Sequence, residues 1–569
     1  VRLLLMNRNV ESHFSTLPDI DISRSVFDRS SGHMTSFNAG DLIPIYIDEV
    51  LPGDSVRMTT SKVVRAQTLL TPTFGNIYLD VYWYFIPMRL VWDHAKEFFG
   101  ENTGSAWVPQ VEYQIPSISA PQNGFATGTI ADYMGLPVGV EWSNSDPQRP
   151  SALPFRGYAL VCDQWYRDQN VTDPLNIPTG DSNQTGTNGN SYINDVANAG
   201  MPFKVAKYHD YFTSCLPSPQ KAAGPVTIAP GNLSLNTMAP VVTGDDHTIN
   251  TDDYVKYVKA DGTTLGDQGR FLHVVSSTGG LNSGKLASGA IATTPDYVNV
   301  WPSNLYADVN LSATVGSISI NDLRLAFQLQ KFYEKQARGG SRYIEVLRQH
   351  FGVTSPDARL QRTEYLGGNR IPIQIHEVSN TSQTQTDFLG DLGAMSVTSD
   401  IHEDFERSFT EHGYLLGVCC VRYDHTYSQG LEKFWTRRKF DQFYWPVFAN
   451  LGEQPVYDSE LYADATTMAN DTVFGYQEAW ADYRYKPDRV SGEMRPGIQN
   501  SLASWNLADY YASKPTLSDG WIREDKSMVD RVLAVTSANS NQFFADFWFD
   551  TVWTRAMPVY SIPGLIDHH

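Results

Sequence analysis

Three long apolar runs near the start of the chain predict β-strands. They cover residues 41–51, 55–70 and 76–92 and are rich in β-branched and aromatic side chains, which favour strands. A Pro-Gly pair lies between the first two runs and favours a turn. Residues 1–35 mix polar and isolated apolar positions without a clear period, so we expect an extended arm there.

The apolar positions adopt a helical period further along the chain. They predict one helix over 317–337 and a second over 341–352, on either side of the Gly339-Gly340 pair. The expected apolar face of the first helix consists of Leu323, Leu325, Phe327, Leu329, Phe332 and Tyr333, and the expected inward face of the second consists of Tyr343, Ile344, Leu347 and Phe351.

The rest of the chain predicts a mainly β protein. Strand-like runs recur at 370–378 and 414–429, and few segments have a helical period. Many strands with long connections favour a sandwich or a jelly roll. Residues 218–311 are dense in Gly, Ser, Thr, Asn and Asp, with short, scattered apolar stretches. A structureless loop of that length is uncommon, so we expect an inserted subdomain of short strands and turns on the surface.

Composition narrows the class of protein. Hydrophobic residues make up 41% of the 569 residues and aromatic residues 12%, which is ample for a folded core. Charged residues are only 19%, and such a composition suits a chain that buries much surface against other subunits. The net charge of −20 argues against electrostatic nucleic-acid binding by the chain as a whole.

The cysteines and the lengths of the apolar runs indicate the cellular environment in which the chain folds. Cys162, Cys215, Cys419 and Cys420 form no metal-ligand spacing, so we expect buried free thiols and a reducing environment. The apolar run at the start of the chain is short and no small-residue cleavage site follows it, so we expect no secretory signal. No run approaches the ~20 apolar residues that span a bilayer, so we expect no membrane insertion.

Three motifs with catalytic or metal-binding spacing each lack a required residue. The Walker-like spacing that ends at Lys285 is followed by Leu286, where magnesium binding needs a hydroxyl. An EF-hand-like run from Asp181 has Tyr192 in place of the bidentate Glu. A His-Glu pair that could begin a zinc helix is followed by Glu406 instead of the second His.

We therefore expect no catalytic residue, no cofactor-binding residue, no metal ligand and no enzymatic activity. One possibility stays open, which is an opportunistic calcium site in an acidic turn. The residues for it are Asp245, Asp246, Asp252 and Asp253.

The two predicted helices carry a basic island in this acidic chain. Two interpretations remain open: phosphate contact, favoured by a Gly pair before a helix N-terminus, or contact with acidic groups of a neighbouring subunit. No strand leads into the Gly pair as a P-loop requires, so catalysis is not expected. The candidate subunit-contact or DNA-facing residues are Arg324, Lys331, Lys335, Arg338, Gly339, Gly340, Arg342 and Arg348.

Several long segments resemble one family in the same order along nearly the whole chain. The stretch with the Ala-Arg-Gly-Gly-x-Arg-Tyr core is among them. Together they resemble the major capsid proteins of the Microviridae, specifically the gokushovirus-like branch. The segments that carry the resemblance are 23–55, 323–353, 356–382, 413–456 and 474–496.

The resemblance implies an eight-stranded viral jelly roll with long insertions that contain some helices. It implies a structural subunit of a bacteriophage virion that assembles through pentamers into a T=1 icosahedral shell around circular single-stranded DNA. A small basic DNA-binding protein is expected as a partner, because the acidic chain leaves most DNA charge to be neutralised by another molecule. Assembly is expected in the cytoplasm of the bacterial host.

The resemblance also implies a variable insertion that forms protrusions at the three-fold axes and binds a host surface receptor. Residues 218–311 stand where that insertion belongs and are the part that resembles the family least. The expected host-facing residues are Asn232, Asp245, Asp246, Tyr254, Tyr257 and Tyr297.

The expected organisation has four parts. They are an arm (1–35), the first part of the jelly roll (36–217), the surface insertion (218–311), and the helical corner with the remaining strands and a C-terminal extension (312–569). A second function stays open, a carbohydrate-binding or hydrolytic jelly-roll protein, because aromatic side chains stack on sugars and a carboxylate pair can be catalytic.

Overall fold

The computed structural model describes most of the chain outside the inserted region. The described residues are 23–101, 113–143, 146–221, 320–339, 343–354, 356–357, 361–382, 389–469 and 471–560, together with the backbone of seven short strands between 241 and 307.

The strands, numbered in chain order, account for most of the regular structure described. They are β1 (Ser25–Asp28), β2 (Ser31–Phe37), β3 (Ile43–Val50), β4 (Ser55–Ala66), β5 (Ile77–Pro87), β6 (Ile118–Ser119), β7 (Gln184–Thr185), β8 (Val241–Asp245), β9 (Thr248–Ile249), β10 (Tyr257–Lys259), β11 (His273–Val275), β12 (Lys285–Ala287), β13 (Val300–Pro302), β14 (Leu305–Ala307), β15 (Glu364–Pro372), β16 (Ile375–Ser379), β17 (Leu392–Ser396), β18 (Thr398–Ser408), β19 (Gly413–Tyr423), β20 (Thr426–Tyr427), β21 (Gln454–Tyr457), β22 (Val473–Gln477), β23 (Asp488–Arg489) and β24 (Phe543–Arg555).

Most of the helices described are short. The α-helices are α1 (Ala95–Phe98), α2 (Ile130–Tyr133), α3 (Leu153–Val161), α4 (Ile320–Gly339), α5 (Tyr343–Phe351), α6 (Asp458–Leu461), α7 (Ala465–Ala469), α8 (Ala481–Arg484), α9 (Asp519–Ile522) and α10 (Ser527–Asp530). A π-helical turn covers Cys162–Tyr166, and 3₁₀ turns cover Met88–Leu90, Val196–Asn198, Lys433–Thr436, Phe440–Gln442, Pro446–Phe448, Gly492–Met494 and Ala503–Trp505.

Eight of the strands form two antiparallel sheets whose order is that of a jelly roll. One sheet has the order β2–β24–β4–β18, with β1 also paired to β24, and the other has the order β3–β19–β5–β15. Every step between consecutive strands of this set crosses from one sheet to the other, except the step from β5 to β15. Wrapping the chain in this way gives two packed sheets and confirms the predicted fold class.

The main core lies between the two sheets. On β24 every second side chain, from Phe543 onward, is buried and the residues between them are exposed over most of the strand. Trp83 on β5 is fully buried, and its ring centroid lies 5.4 Å from that of Tyr46 in the same sheet and 5.6 Å from that of Phe549 in the opposite sheet. Aromatic side chains of both sheets therefore fill the space between them.

Two long insertions enlarge the jelly roll. One joins β5 to β15 and the other joins β19 to β24. A second core lies on the outer face of the β3–β19–β5–β15 sheet, where α3 packs on side chains such as Tyr84 and Leu416. A third cluster, which includes Phe212 and Trp521, contains residues of both insertions. Residues 224–331 form a compact unit by themselves.

Part of the segment predicted as an extended arm forms two strands of the jelly roll. Strands β1 and β2 begin at Ser25 and Ser31, inside the predicted arm of residues 1–35, and both pair with β24. Pairing with an aromatic strand more than 500 residues away gives this segment its order, and no local pattern reveals such a partner. Residues 1–22 lie outside the described part of the chain, and the other predicted domain boundaries stay predictions.

Other predictions agree with the structure. The two helices are present as α4 and α5, and all four cysteines are buried and free. Burial raises the pKa of the Cys215 and Cys420 thiols, which keeps them protonated. Among the residues that the structure describes, no helix is both long enough and apolar enough to cross a membrane.

Candidate assembly surface

Most of the predicted basic residues lie on α4 and α5. The side chains of Arg324, Lys331, Lys335 and Arg348 are exposed. Gly339 is the last residue of α4, while Gly340 and Arg342 lie outside the described residues. The structure therefore places the basic island on two successive helices, and its role in subunit or DNA contact stays a prediction.

Arg338 has a partner within the chain. Its guanidinium forms an ion pair with Glu453, whose side chain is only 1% exposed, and a second nitrogen lies 3.9 Å from Glu478. Burial raises the pKa of Glu453 and Arg338 opposes that shift. The pair joins the last turn of α4 to the segment before β21, which makes Arg338 part of the fold in addition to any outward contact.

The predicted apolar face of α4 is largely exposed, and so is Phe351, one of the residues expected to point inward on α5. A helical period shows that one face is apolar but does not show what covers it. Four of the six predicted positions on α4 are exposed, as is Phe351, which was expected to point inward on α5. The exposed fractions are 58% for Leu325, 59% for Phe327, 37% for Leu329, 43% for Phe332 and 74% for Phe351.

A larger exposed apolar surface lies in residues 434–451, named here the aromatic segment. It follows β20 and consists mainly of 3₁₀ turns. Phe440 is 73% exposed and Val447 is 87% exposed. Large side chains this exposed and this closely spaced mark interaction surfaces in soluble proteins. The exposed large side chains are Phe434, Trp435, Phe440, Phe443, Tyr444, Trp445, Val447 and Leu451.

Polar anchors hold the aromatic segment in place. Arg437 forms an ion pair with Asp482 and stacks 4.3 Å from the ring centroid of Tyr483. The indole N–H of Trp445 donates to the carbonyl of Phe440 at 3.0 Å. The indole N–H of Trp480 donates to the carbonyl of Phe448 at 2.9 Å. The exposed rings therefore have a defined geometry, which lowers the entropic cost of binding a partner.

The charge of the aromatic segment differs from that of the whole chain. Arg438 and Lys439 are exposed, and neither forms an ion pair within the described part of the chain. Aromatic and arginine side chains are the residue types enriched at protein interfaces. Sequence reasoning did not find this surface, because spacing alone provides no signal for the exposure of its side chains.

The predicted host-facing residues are described only in part. Asp245 ends β8 and Tyr257 begins β10, and for both only the backbone is described. Asn232, Asp246, Tyr254 and Tyr297 lie outside the described residues, as do Asp252 and Asp253 of the calcium prediction. In the part of the chain that is described, no group of three His, Cys, Asp or Glu residues could hold a metal ion.

The chain is similar to phage capsid proteins over almost its full length. A family model described as "Capsid protein (F protein)" matches residues 15–565. "Capsid protein VP1" of Spiroplasma virus 4 is 39% identical over 563 residues, which is 97% of each chain. The protein of the same name from Chlamydia phage 1 is 36% identical over 598 residues, covering 98% of each chain. That of Bdellovibrio phage phiMH2K is 37% identical over 564 residues, covering 98% of this chain and 99% of the relative.

Proposed function

Because the chain belongs to the capsid protein (F protein) family, we propose that its copies assemble through the aromatic segment into a closed icosahedral shell. Membership of this family identifies the chain as a structural capsid protein of a phage of the gokushovirus-like Microviridae. The family is one of structural proteins and not of enzymes. The carbohydrate-binding or hydrolytic alternative is not favoured.

The exposure of the aromatic segment is the observation that carries this proposal. Eight large side chains of one short segment are at least 44% exposed in the single chain, yet polar contacts hold the segment in a defined conformation. At about 25 cal/mol per Å² of apolar area removed from water, covering such side chains with a second copy stabilises the assembly. The exposed apolar face of α4 and the exposed Phe351 of α5 fit the same role.

The finer features of the shell are part of the proposal. Five copies form a ring through heterologous contacts that close, and such pentamers build a T=1 shell around circular single-stranded DNA. The net charge of −20 supports a separate small basic protein that neutralises the DNA. The cytoplasm of the bacterial host is the proposed place of assembly, which is consistent with four buried, unpaired cysteines.

The inserted region is the proposed host-binding part. Residues 224–331 form a separate compact unit, which supports a projection that can vary without disturbing the jelly roll. The residues proposed to face the host receptor remain Asn232, Asp245, Asp246, Tyr254, Tyr257 and Tyr297.

Electron microscopy of the expressed chain tests the proposed assembly. The unaltered chain is expected to form five-fold rings or closed shells, with or without the basic partner protein. The double variant Phe440→Ser with Val447→Ser is expected to stay unassembled, because it removes two exposed apolar side chains from the contact and keeps the indole anchors. The matched control Asp441→Asn changes an exposed polar residue of the same segment and is expected to assemble normally.

The melting temperature of each variant separates lost contacts from lost folding. Substitutions of exposed residues change the stability of a single chain by only about 0.5 kcal/mol. The unaltered chain and both variants should therefore have nearly the same melting temperature when they are unassembled. Normal shells from the double variant would show that the subunit contact lies elsewhere.

A further inference from the structure

An open cleft on the outer face of the β3–β19–β5–β15 sheet combines aromatic rings with positive charge. Its volume is about 610 Å³. The floor is made by side chains of β5, β15 and β19, and the walls by Trp165–Asp168 and Ala206–His209. The insertion between β5 and β15 thus builds a concave site on the sheet, of the size that small ligands occupy.

One end of the cleft is a platform of aromatic rings. The ring of Tyr365 on β15 lies 6.0 Å from that of Tyr82, 5.7 Å from that of Tyr84 and 5.8 Å from that of Trp165. The three neighbours fix the orientation of Tyr365, while 39% of this residue stays exposed. A planar ring from a ligand can therefore stack on it without rearrangement of the platform.

The other end of the cleft has one more guanidinium than its carboxylate can neutralise. Asp80 has a fully buried side chain and accepts from the Nε of Arg370 at 2.8 Å and from the Nε of Arg422 at 3.0 Å. Both guanidinium carbons lie within about 4 Å of the ring centroid of Tyr208. The phenolic hydroxyl of Tyr208 also donates a hydrogen bond to Asp80 at 3.0 Å. One carboxylate thus faces two permanent positive charges.

Arg370 is the cation of this cluster that a ligand can reach. Its side chain is 43% exposed, whereas that of Arg422 is 14% exposed. The remaining cations of the lining have acidic partners: Arg167 pairs with Asp163 at 2.7 Å and Lys207 lies 3.4 Å from Asp509. The excess positive charge therefore lies at Arg370. The carboxylate of Asp168, which also lines the cleft, accepts a hydrogen bond from the backbone N–H of Asn170.

We propose that this cleft binds a nucleotide unit of single-stranded DNA, with the base stacked on Tyr365 and the phosphate at Arg370. Single strands bind proteins through exposed aromatic rings and cationic side chains, and arginine is well suited to phosphate. The inference rests on the proposed function for the presence of DNA and adds the part of the subunit that contacts it.

Fluorescence anisotropy with a labelled single-stranded oligothymidylate tests the cleft, using the full-length subunit in its unassembled state. Tyr365→Ser is expected to weaken binding about tenfold, since one base stack contributes about 1–3 kcal/mol. Arg370→Gln is expected to weaken binding and to lower the salt dependence by about one phosphate contact. Arg370→Gln leaves Asp80 paired with Arg422, so the fold is expected to persist. Arg370→Lys should restore part of the affinity.

The matched control is Arg438→Gln, which removes an exposed cation of the aromatic segment. Unchanged affinity in this control, with losses in both cleft variants, supports the cleft. Equal affinity of the cleft variants and the unaltered chain overturns it. Electron microscopy of each chain under assembly conditions reports assembly separately. A chain that forms shells but has an inactive cleft overturns only this inference.

Discussion

At the scale of single residues, a buried charge is expected to make the stability of the fold depend on pH. His425 follows β19 and is 1% exposed in its side chain. Its Nδ1 lies 2.8 Å from Asp509 and its Nε2 lies 3.2 Å from Glu524, both buried carboxylates. Lys207 and the hydroxyl of Tyr511 also contact Asp509. Burial disfavours the imidazolium, but the two carboxylates raise the pKa of His425 to about 9.

The charge of His425 predicts a stability that falls at alkaline pH. Its pKa rises on folding from the ordinary value of 6.5, so its contribution is complete below pH 6.5 and is lost as pH rises through about 9. We expect the free energy of unfolding to drop by on the order of 3 kcal/mol over that window relative to His425→Gln. Urea denaturation of the unaltered chain and of His425→Gln, at pH values below and above this window, measures the difference in unfolding free energy. If the unfolding free energies of the two chains changed in parallel with pH, the prediction would be contradicted.

At the scale of elements, strand β24 shows how one sequence serves two environments. It lies inside its sheet, between β4 and the pair β1 and β2. Phe547 is fully buried between the sheets, with its ring 6.1 Å from that of Phe549, whereas Phe544 is 38% exposed on the outer face. Because strand side chains alternate between faces, the two phenylalanines differ in environment although only three positions separate them.

Substitutions on β24 should therefore differ strongly by face. Phe547→Ala is expected to lower the free energy of unfolding by about 3–5 kcal/mol, since it removes a buried ring and leaves a cavity. Phe544→Ala is the control on the same strand, with an expected change of about 0.5 kcal/mol or less. Chemical denaturation of the unassembled chain distinguishes them, and similar losses would show that the outer face is packed as tightly as the inner one.

At the scale of the whole molecule, the chain consists of an elaborated jelly roll and a separate inserted unit. Replacement of residues 224–311 by a short Gly-Ser linker should leave the melting temperature of the jelly roll nearly unchanged, because loop length has only a weak entropic effect. Shells of this variant are expected to lack surface projections in electron micrographs. Failure of the shortened chain to fold would show that the insertion supports the core.

Much of the fold follows from local pattern. Strands β3, β4 and β5 lie within the apolar runs that predict them, and α4 and α5 follow from helical period. The run at 370–378 divides into β15 and β16, with a break after Pro372 where the chain leaves one sheet for another. The pairing of β1 and β2 with β24 was not predictable, since contacts between distant segments leave no periodic signal in either one.

The candidate sites, like the fold, were predictable from the sequence only where their residues lie close together in the chain. The basic residues of α4 and α5 were found from composition, but the partner of Arg338 is Glu453, more than a hundred residues away. The cleft was missed because its residues, Tyr82, Trp165, Tyr208, Tyr365 and Arg370, come from four separate segments. None of these segments has a recognisable motif on its own.

The sequence by itself determined the mainly β character, the two helices and the resemblance to a capsid family, because these depend on local propensity and on long ordered motifs. Only the tertiary structure decided which apolar side chains remain exposed, which charges are paired and which rings meet in one cleft. The physical reason is that burial, ion pairing and stacking are set by distances between segments far apart in the chain, and folding alone brings those segments together.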